Sequence, residues 1–334
     1  MSEITAPQRP PEPDWLAITA EELAAYRDAE NRFRASSAAR AFLGEPDPGA
    51  AIQWQDVALP GRELPVRVYR PAPDRDRDRD GEGAGRAELP LVLHVHGGGF
   101  VGTAVQCDWV TSHLAAQLPA VVVSVEHRLL DPRTPLSAAV DDGWDVLQHV
   151  VRHAAQWGID PARVAVFGES CGALISALAA IRAKGAGPHL QAQVLVNPAV
   201  DVTETMFDYP SVAEYALSPT LAEPQLRLFQ RLAVPEGTDP RALSPLYADD
   251  LNGLAPALVV VPTRDAVADH GRRYAERLQA AGTPTRLTEY PGAVHAFLSM
   301  PGLVEQAETA RTEILEFLRA SLTARTTHHG RKTQ

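Results

Sequence analysis

Five short apolar runs, Leu91 to Val95, Val121 to Val125, Val164 to Phe167, Ala192 to Val196 and Ala257 to Val261, recur along the chain without the polar alternation of a half-exposed strand. Unalternating runs of Val and Leu mark strands buried on both faces of a parallel sheet. Parallel neighbours require long crossovers. Four helix-length stretches supply them: Asp108 to Leu118, Leu136 to Trp157, Cys171 to Lys184 and Asp269 to Ala281. The pattern predicts a doubly wound α/β sheet. With 334 residues, 45% of them hydrophobic, one large decorated domain is expected rather than two average ones.

Around this repeat lie segments of other character. Residues 1–50 are rich in Ala, Glu and Arg, with Leu16, Leu23, Tyr26, Phe33 and Phe42 as spaced apolar anchors, and read as one or two amphipathic helices. Alternation in Ile52 to Val57 and Leu64 to Tyr69, joined by Pro60-Gly61, predicts two antiparallel edge strands. The tract Asp74 to Asp80, followed by Gly81, Gly83 and Gly85, holds no apolar residue and reads as a solvated loop. The stretch from Val196 to Ala257 is too long for a simple crossover, and its part from about 200 to 235, with Tyr209, Tyr215 and Leu226 to Leu232, reads as part of a lid. The polar tail, residues 323–334, is expected to be disordered, and its adjacent His328 and His329 are not expected to form a metal site.

Composition excludes several classes of function. The chain carries 31 Lys and Arg against 42 Asp and Glu, a net charge of −11, which argues against a nucleic-acid partner. No apolar run approaches the roughly 18 residues that span a bilayer, and the N-terminus lacks a basic-then-apolar leader. A cytoplasmic protein is expected. Two cysteines, Cys107 and Cys171, have no metal-type spacing and are expected as free thiols.

Chemistry concentrates at Gly168-Glu169-Ser170-Cys171-Gly172, where an apolar run ends and a helix-like run begins. A serine between two glycines at such a turn is held in a tight elbow that lifts its hydroxyl from the sheet. Serine is a weak nucleophile at neutral pH and needs an imidazole base and an orienting acid. Asp265, after the run Ala257 to Val261, and His295, after the alternating run Thr285 to Tyr290, fill those places at strand ends. The order Ser170, Asp265, His295 is nucleophile, acid, base. Next to these, His96-Gly97-Gly98-Gly99-Phe100 follows directly on a buried run, and its free N–H groups can face a developing oxyanion. Gly98 and Gly99 are the chosen donors, joined by the N–H of Cys171. A Cys171 thiol nucleophile is the rival, opposed by the elbow's presenting only its central residue. Phe100, Trp109, Phe207, Tyr215 and Phe297 are aromatic candidates for a substrate pocket, with Phe100, Phe297 and Tyr215 preferred. Arg128 is expected to pair internally with Asp131 or Asp142.

From about Leu89 to Leu318 the chain resembles the hormone-sensitive-lipase-like esterases, family IV among bacterial enzymes of the α/β-hydrolase fold. The resemblance rests on His96-Gly-Gly-Gly-Phe100, His127-Arg-Leu-Leu-Asp-Pro132, Gly168-Glu-Ser-Cys-Gly172, Ser244-Pro-Leu246, Asp265-Ala-Val-Ala-Asp269 and His295-Ala-Phe297. It implies an α/β-hydrolase domain over 51–322 with a mostly parallel eight-stranded sheet, helices on both faces and a helical cap formed by residues 1–50 and the insertion. It also implies a triad of Ser170, Asp265 and His295, an oxyanion hole of Gly98, Gly99 and Cys171, and Asp269 as a helix N-cap. His127 stands where the family has tyrosine and Cys171 where it has alanine. His94 reads as a packed strand residue and His96 as a brace for the glycine loop.

The expected activity is hydrolysis of short to medium acyl esters through an acyl-enzyme, with no cofactor and no metal, on a small-molecule ester, in a monomer or possible homodimer. Two other readings stand beside it. One is a dedicated acyltransferase, thioesterase or lactone-forming enzyme with the same triad; the other is a non-catalytic small-molecule binder, against which the presence of His295 weighs.

Overall fold

A computed structural model describes residues 8–73 and 88–323. The charged tract at 74–80, its following glycines and the 324–334 tail lie outside the described residues. Eight strands form one sheet: β1 (Ala50–Leu59), β2 (Arg62–Pro71), β3 (Leu89–Val95), β4 (Val121–Val125), β5 (Ile159–Glu169), β6 (Leu190–Val196), β7 (Ala257–Arg264) and β8 (Thr285–Val294). Their order is β1-β2-β4-β3-β5-β6-β7-β8. The first two pairings, β1 with β2 and β2 with β4, are antiparallel, and all others are parallel. Only β1 of the first hairpin is therefore an edge strand; β2, expected at the edge, is covered on its far side by β4.

Ten α-helices surround the sheet among the described residues: α1 (Ala20–Arg34), α2 (Arg40–Leu43), α3 (Asp108–Gln117), α4 (Leu136–Arg152), α5 (Ala154–Trp157), α6 (Cys171–Ala186), α7 (Pro210–Glu214), α8 (Glu223–Ala233), α9 (Ala268–Ala280) and α10 (Gln306–Thr323). The buried strands divide their side chains between two layers, as a period of two requires. In β7, Leu258 and Val260 pack with Ile314 and Leu318 of α10, whereas Val259 and Val261 pack with Tyr274 and Leu278 of α9. Both faces are thus apolar, which is why these runs show no polar alternation.

The N-terminal region differs from its expected form. α1 begins with a capping box in which Thr19 and Glu22 bond each other's backbone, and it buries Leu23 and Tyr26. Leu16, one of the expected anchors, is 54% exposed, and its neighbour Trp15 is buried instead, edge-on to Tyr26 at 5.0 Å. The long stretch from Leu136 breaks at His153, so that α4 and α5 are separate helices. β8 continues past Tyr290 to Val294 beside a register shift near Pro262, with Gly292 N–H donating to Thr263 Oγ1 at 3.0 Å.

Arg128 pairs with Asp142, not Asp131. Its Nη2 and Nε reach Asp142 Oδ1 and Oδ2 at 2.9 Å each, and Arg62 Nε adds a bond to the same buried carboxylate at 3.0 Å. Asp131 instead lies 4.0 Å from Arg27. Asp142→Ala is expected to lower unfolding stability by about 2 kcal/mol, below the range for a wholly buried pair because both arginines stay partly solvated. Urea unfolding of the two proteins measures it.

Candidate active site

The C-terminal ends of β3, β5, β7 and β8 converge, and the residues that follow each strand carry chemistry. Ser170, directly after β5, has φ +54° and ψ −118°, a conformation that side-chain-bearing residues rarely adopt. The turn closes only because its flanks are glycines. A Cβ on Gly168 would stand 2.2 Å from Gly172 O, and one on Gly172 would stand 2.1 Å from Val95 O.

Ser170 Oγ donates to His295 Nε2 at 2.8 Å, and His295 Nδ1 donates to Asp265 Oδ2 at 2.8 Å. The other oxygen of Asp265 accepts from Val267 N–H at 3.0 Å, which orients the carboxylate. Asp265 is fully buried and His295 nearly so. Asp269 does not cap α9: it lies in the helix's first turn, accepting from Ser211 N–H at 2.9 Å and pairing with Arg272 at 2.9 Å.

Beside Ser170, the glycine loop after β3 turns at Gly98, which admits only glycine: its φ is +90°, and a Cβ there would stand 1.7 Å from Val101 O. Among the described residues, the N–H groups of Gly98, Gly99 and Cys171 donate to no protein acceptor, and all three residues line the cavity that holds Ser170 and His295. Side chains of α1 brace the loop. Arg27 Nε donates to Phe100 O at 2.8 Å, and Asn31 exchanges two 3.0 Å bonds with the backbone of Gly102. His96 Nδ1 meets Gly97 O at 2.9 Å, a brace as expected. His127 stacks on His96 with ring centres 4.3 Å apart, its nitrogens facing the carbonyls of Arg128 and His96. Burial pushes the Cys171 thiol up to about 12, which keeps it protonated and poorly nucleophilic at neutral pH.

The cavity over Ser170 has a volume of about 130 Å³, and its large apolar lining side chains include Trp15, Tyr26, Phe100, Leu221, Leu226 and Phe229. Of the three preferred pocket aromatics, Phe100 lines it and the other two do not. Phe297 is fully buried in the core against Tyr290, because the 3₁₀ turn after His295 swings it beneath the sheet end. Tyr215 lines a different hollow with Leu217 and Arg264 and donates to Glu214. Trp109 lies under Arg311 and Phe207 under Arg227, outside the cavity. Sequence reasoning missed Trp15 and Phe229. Their only sequence signal is a large apolar side chain in segments already read as helical cover.

A family model described as alpha/beta hydrolase fold, Abhydrolase_3, matches residues 92–299. The carboxylesterase NlhH of Mycobacterium tuberculosis is 36% identical over 287 residues, covering 83% of this chain and 85% of that protein. The ethyl acetate hydrolase of Pseudomonas putida is 33% identical over 303 residues, 88% of this chain and 90% of its own. Among solved structures, the thermostable carboxylesterase EstE1 from a metagenomic library superposes with a TM-score of 0.79 at 30% identity, covering 92% of this chain and 99% of that one. The chain belongs to the α/β-hydrolase family, in its hormone-sensitive-lipase-like branch. Among the described residues, no helix is long and apolar enough to cross a membrane.

The stacked imidazoles give the site region a pH dependence. Burial lowers both His96 and His127 from the usual 6.5 to about 4, and burial does the same to His270. The unfolded chain therefore binds more protons at these positions between those values, so the stability that the three neutral rings contribute is fully present above about 6.5 and is lost as pH drops toward about 4. His127→Tyr, which removes one such group, is expected to flatten that decline, read as unfolding midpoints from pH 7 to pH 4.

Proposed function

We propose that the protein is a serine carboxylesterase acting on short to medium acyl esters, with Ser170 as nucleophile, His295 as base and then acid, and Asp265 as the acid that orients it. The observation that carries this reading is the unbroken chain of two 2.8 Å hydrogen bonds from Ser170 Oγ through the imidazole to Asp265. With Nδ1–H held by the carboxylate, Nε2 is left to take the serine proton as Oγ attacks the ester carbonyl. The oxyanion then faces the N–H groups of Gly98, Gly99 and Cys171, each such donor being worth roughly 3 to 4 kcal/mol of barrier. Protonated His295 returns the proton to the departing alcohol. Water, activated by the same imidazole, releases the acid from the acyl-enzyme. Carboxylesterase and ethyl acetate hydrolase names among the relatives support an ester as substrate.

Residues 1–50 and the 200–235 insertion act in this reading as a cap, since Trp15, Tyr26, Leu226 and Phe229 from those segments form the cavity wall. A cytoplasmic location belongs to the same proposal, supported by two buried free thiols.

A fluorophosphonate is expected to label Ser170 stoichiometrically, and Ser170→Ala to abolish hydrolysis of p-nitrophenyl acetate and butyrate. Asp265→Asn should lower turnover by about four orders of magnitude. Unchanged turnover in the serine variant would end the reading, and ester formation outpacing hydrolysis with an added alcohol would favour an acyltransferase. The Phe229 ring comes within 2.6 Å of a Cβ placed on Gly99 and so closes the cavity beside the glycine loop. Phe229→Ala is therefore expected to raise the ratio of decanoate to acetate kcat/KM about tenfold or more, a factor in keeping with the methylene-scale discrimination of an apolar pocket, measured on a p-nitrophenyl ester series.

A further inference from the structure

Under the elbow, three fully or almost fully buried side chains from separate elements meet: His94 on β3, Cys107 in the 3₁₀ turn before α3, and Glu169 at the end of β5. Cys107 Sγ donates to Glu169 Oε1 at 3.6 Å, and His94 Nε2 lies 3.9 Å from the same oxygen. All three potential ligand atoms fall within 4.8 Å of one another. His94 Nδ1 pairs with Ser124 Oγ at 2.7 Å, which fixes the ring, yet Nε2 has no hydrogen-bond partner among the described residues. A buried polar atom left so is destabilising unless something meets it. Ester hydrolysis as derived above makes no use of His94 or Cys107.

We propose that His94 Nε2, Cys107 Sγ and Glu169 Oε1 form a site for one zinc-class divalent cation, with a water as the fourth donor and Ser299 Oγ, which donates to Glu169 Oε2 at 2.9 Å, orienting the carboxylate. Metal–ligand bonds of about 2.0–2.3 Å in a tetrahedron set ligand atoms about 3.3–3.8 Å apart. The sulfur and carboxylate oxygen, 3.6 Å apart, fall in that range, while the imidazole, 3.9 Å from the same oxygen, lies slightly beyond it and would draw in on binding. A mixed nitrogen, sulfur and oxygen set favours a borderline ion such as Zn²⁺ over Mg²⁺ or Ca²⁺, which take oxygen alone. Ser124 serves as the outer partner that orients a ligating imidazole. The cluster lies next to the cavity over Ser170, which Glu169 and Ser299 also line.

The charges balance in a buried site. Without an ion the Cys107 S–H donates to the Glu169 carboxylate. On binding, the S–H bond breaks, its proton passes to solvent, its electron pair forms the metal–sulfur bond, and the ion sheds water ligands. Thiolate and carboxylate together neutralise the dication, and no oxidation state changes. Short ligand spacings in sequence could not reveal the cluster, since positions 94, 107 and 169 meet only once the sheet forms.

Cobalt(II) tests the assignment, because thiolate ligation gives a near-ultraviolet charge-transfer band that oxygen and nitrogen ligands do not. Titration of the full chain with Co²⁺ is expected to raise that band to saturation at one equivalent, and one equivalent of Zn²⁺ to abolish it. Cys107→Ala and His94→Gln should each lose the band, with Cys107→Ser as the closer replacement should either fold poorly. A His328→Ala/His329→Ala variant should keep it. Ser170→Ala should also keep it while losing ester hydrolysis, so the metal site and the esterase reading fail independently. No band at saturating Co²⁺ in the unaltered protein, or a band that survives in Cys107→Ala or Cys107→Ser, overturns the proposal.

Discussion

Ser170 is held in a backbone conformation that costs on the order of 1–3 kcal/mol, and every proposed catalytic contact depends on its staying there. The sheet supplies the restraint. Ser170 N–H donates to Val196 O at 2.9 Å on the neighbouring strand, while its own carbonyl accepts from Ala173 and Leu174 in the first turn of α6. That turn lies against Val95, the last residue of β3, from which the glycine loop departs. Ser170 and the glycine loop are thus positioned together by the packing of the first turn of α6 against the end of β3, so neither shifts without the other.

Electrostatics around this contact follow from burial. Burial holds His96 and His127 against the glycine loop as neutral rings, so the Gly97 carbonyl meets an imidazole, while the Phe100 carbonyl at the loop's far end takes the Arg27 guanidinium. Away from the site, arginines meet carboxylates: Asp108 takes two bonds from Arg67 and one each from Arg40 and Tyr69, and joins α2 to the hairpin of β1 and β2. Fixed charge there braces the scaffold, whereas at the site the buried Asp265 carboxylate is met by the His295 ring and a backbone N–H.

The sheet and the convergence of Ser170, Asp265 and His295 are legible in the sequence, because strands buried on both faces leave continuous apolar runs, Ser170 and Asp265 follow two of them, and His295 follows the alternating run of the half-exposed β8. The glycine loop is legible for the same reason. Whatever depends on side-chain direction in irregular chain is not. Phe297 sits two residues from His295, yet a 3₁₀ turn sends it into the core. Tyr215 belongs to the insertion, but α7 ends there and the ring faces outward beside Glu214. Trp15 and Leu16 are adjacent, and only tertiary contact with Phe100, 5.4 Å from the Trp15 ring, decides which is buried. Asp269 stands before a helical run, as a cap would, but α9 starts one residue ahead of it and draws its carboxylate into the first turn.

The bracing of the glycine loop by Arg27 and Asn31 ties the loop to a segment some seventy residues upstream. Arg27 Nη2 also holds Leu130 O at 2.5 Å, on the far side of the loop, and Leu130 N–H in turn donates to Gly99 O at 2.8 Å. One guanidinium therefore ties the glycine loop at Phe100 to the segment at Leu130. In the esterase reading proposed above, a cut that removed this clamp would free the proposed oxyanion donors while touching neither hydrogen bond that joins Ser170, His295 and Asp265.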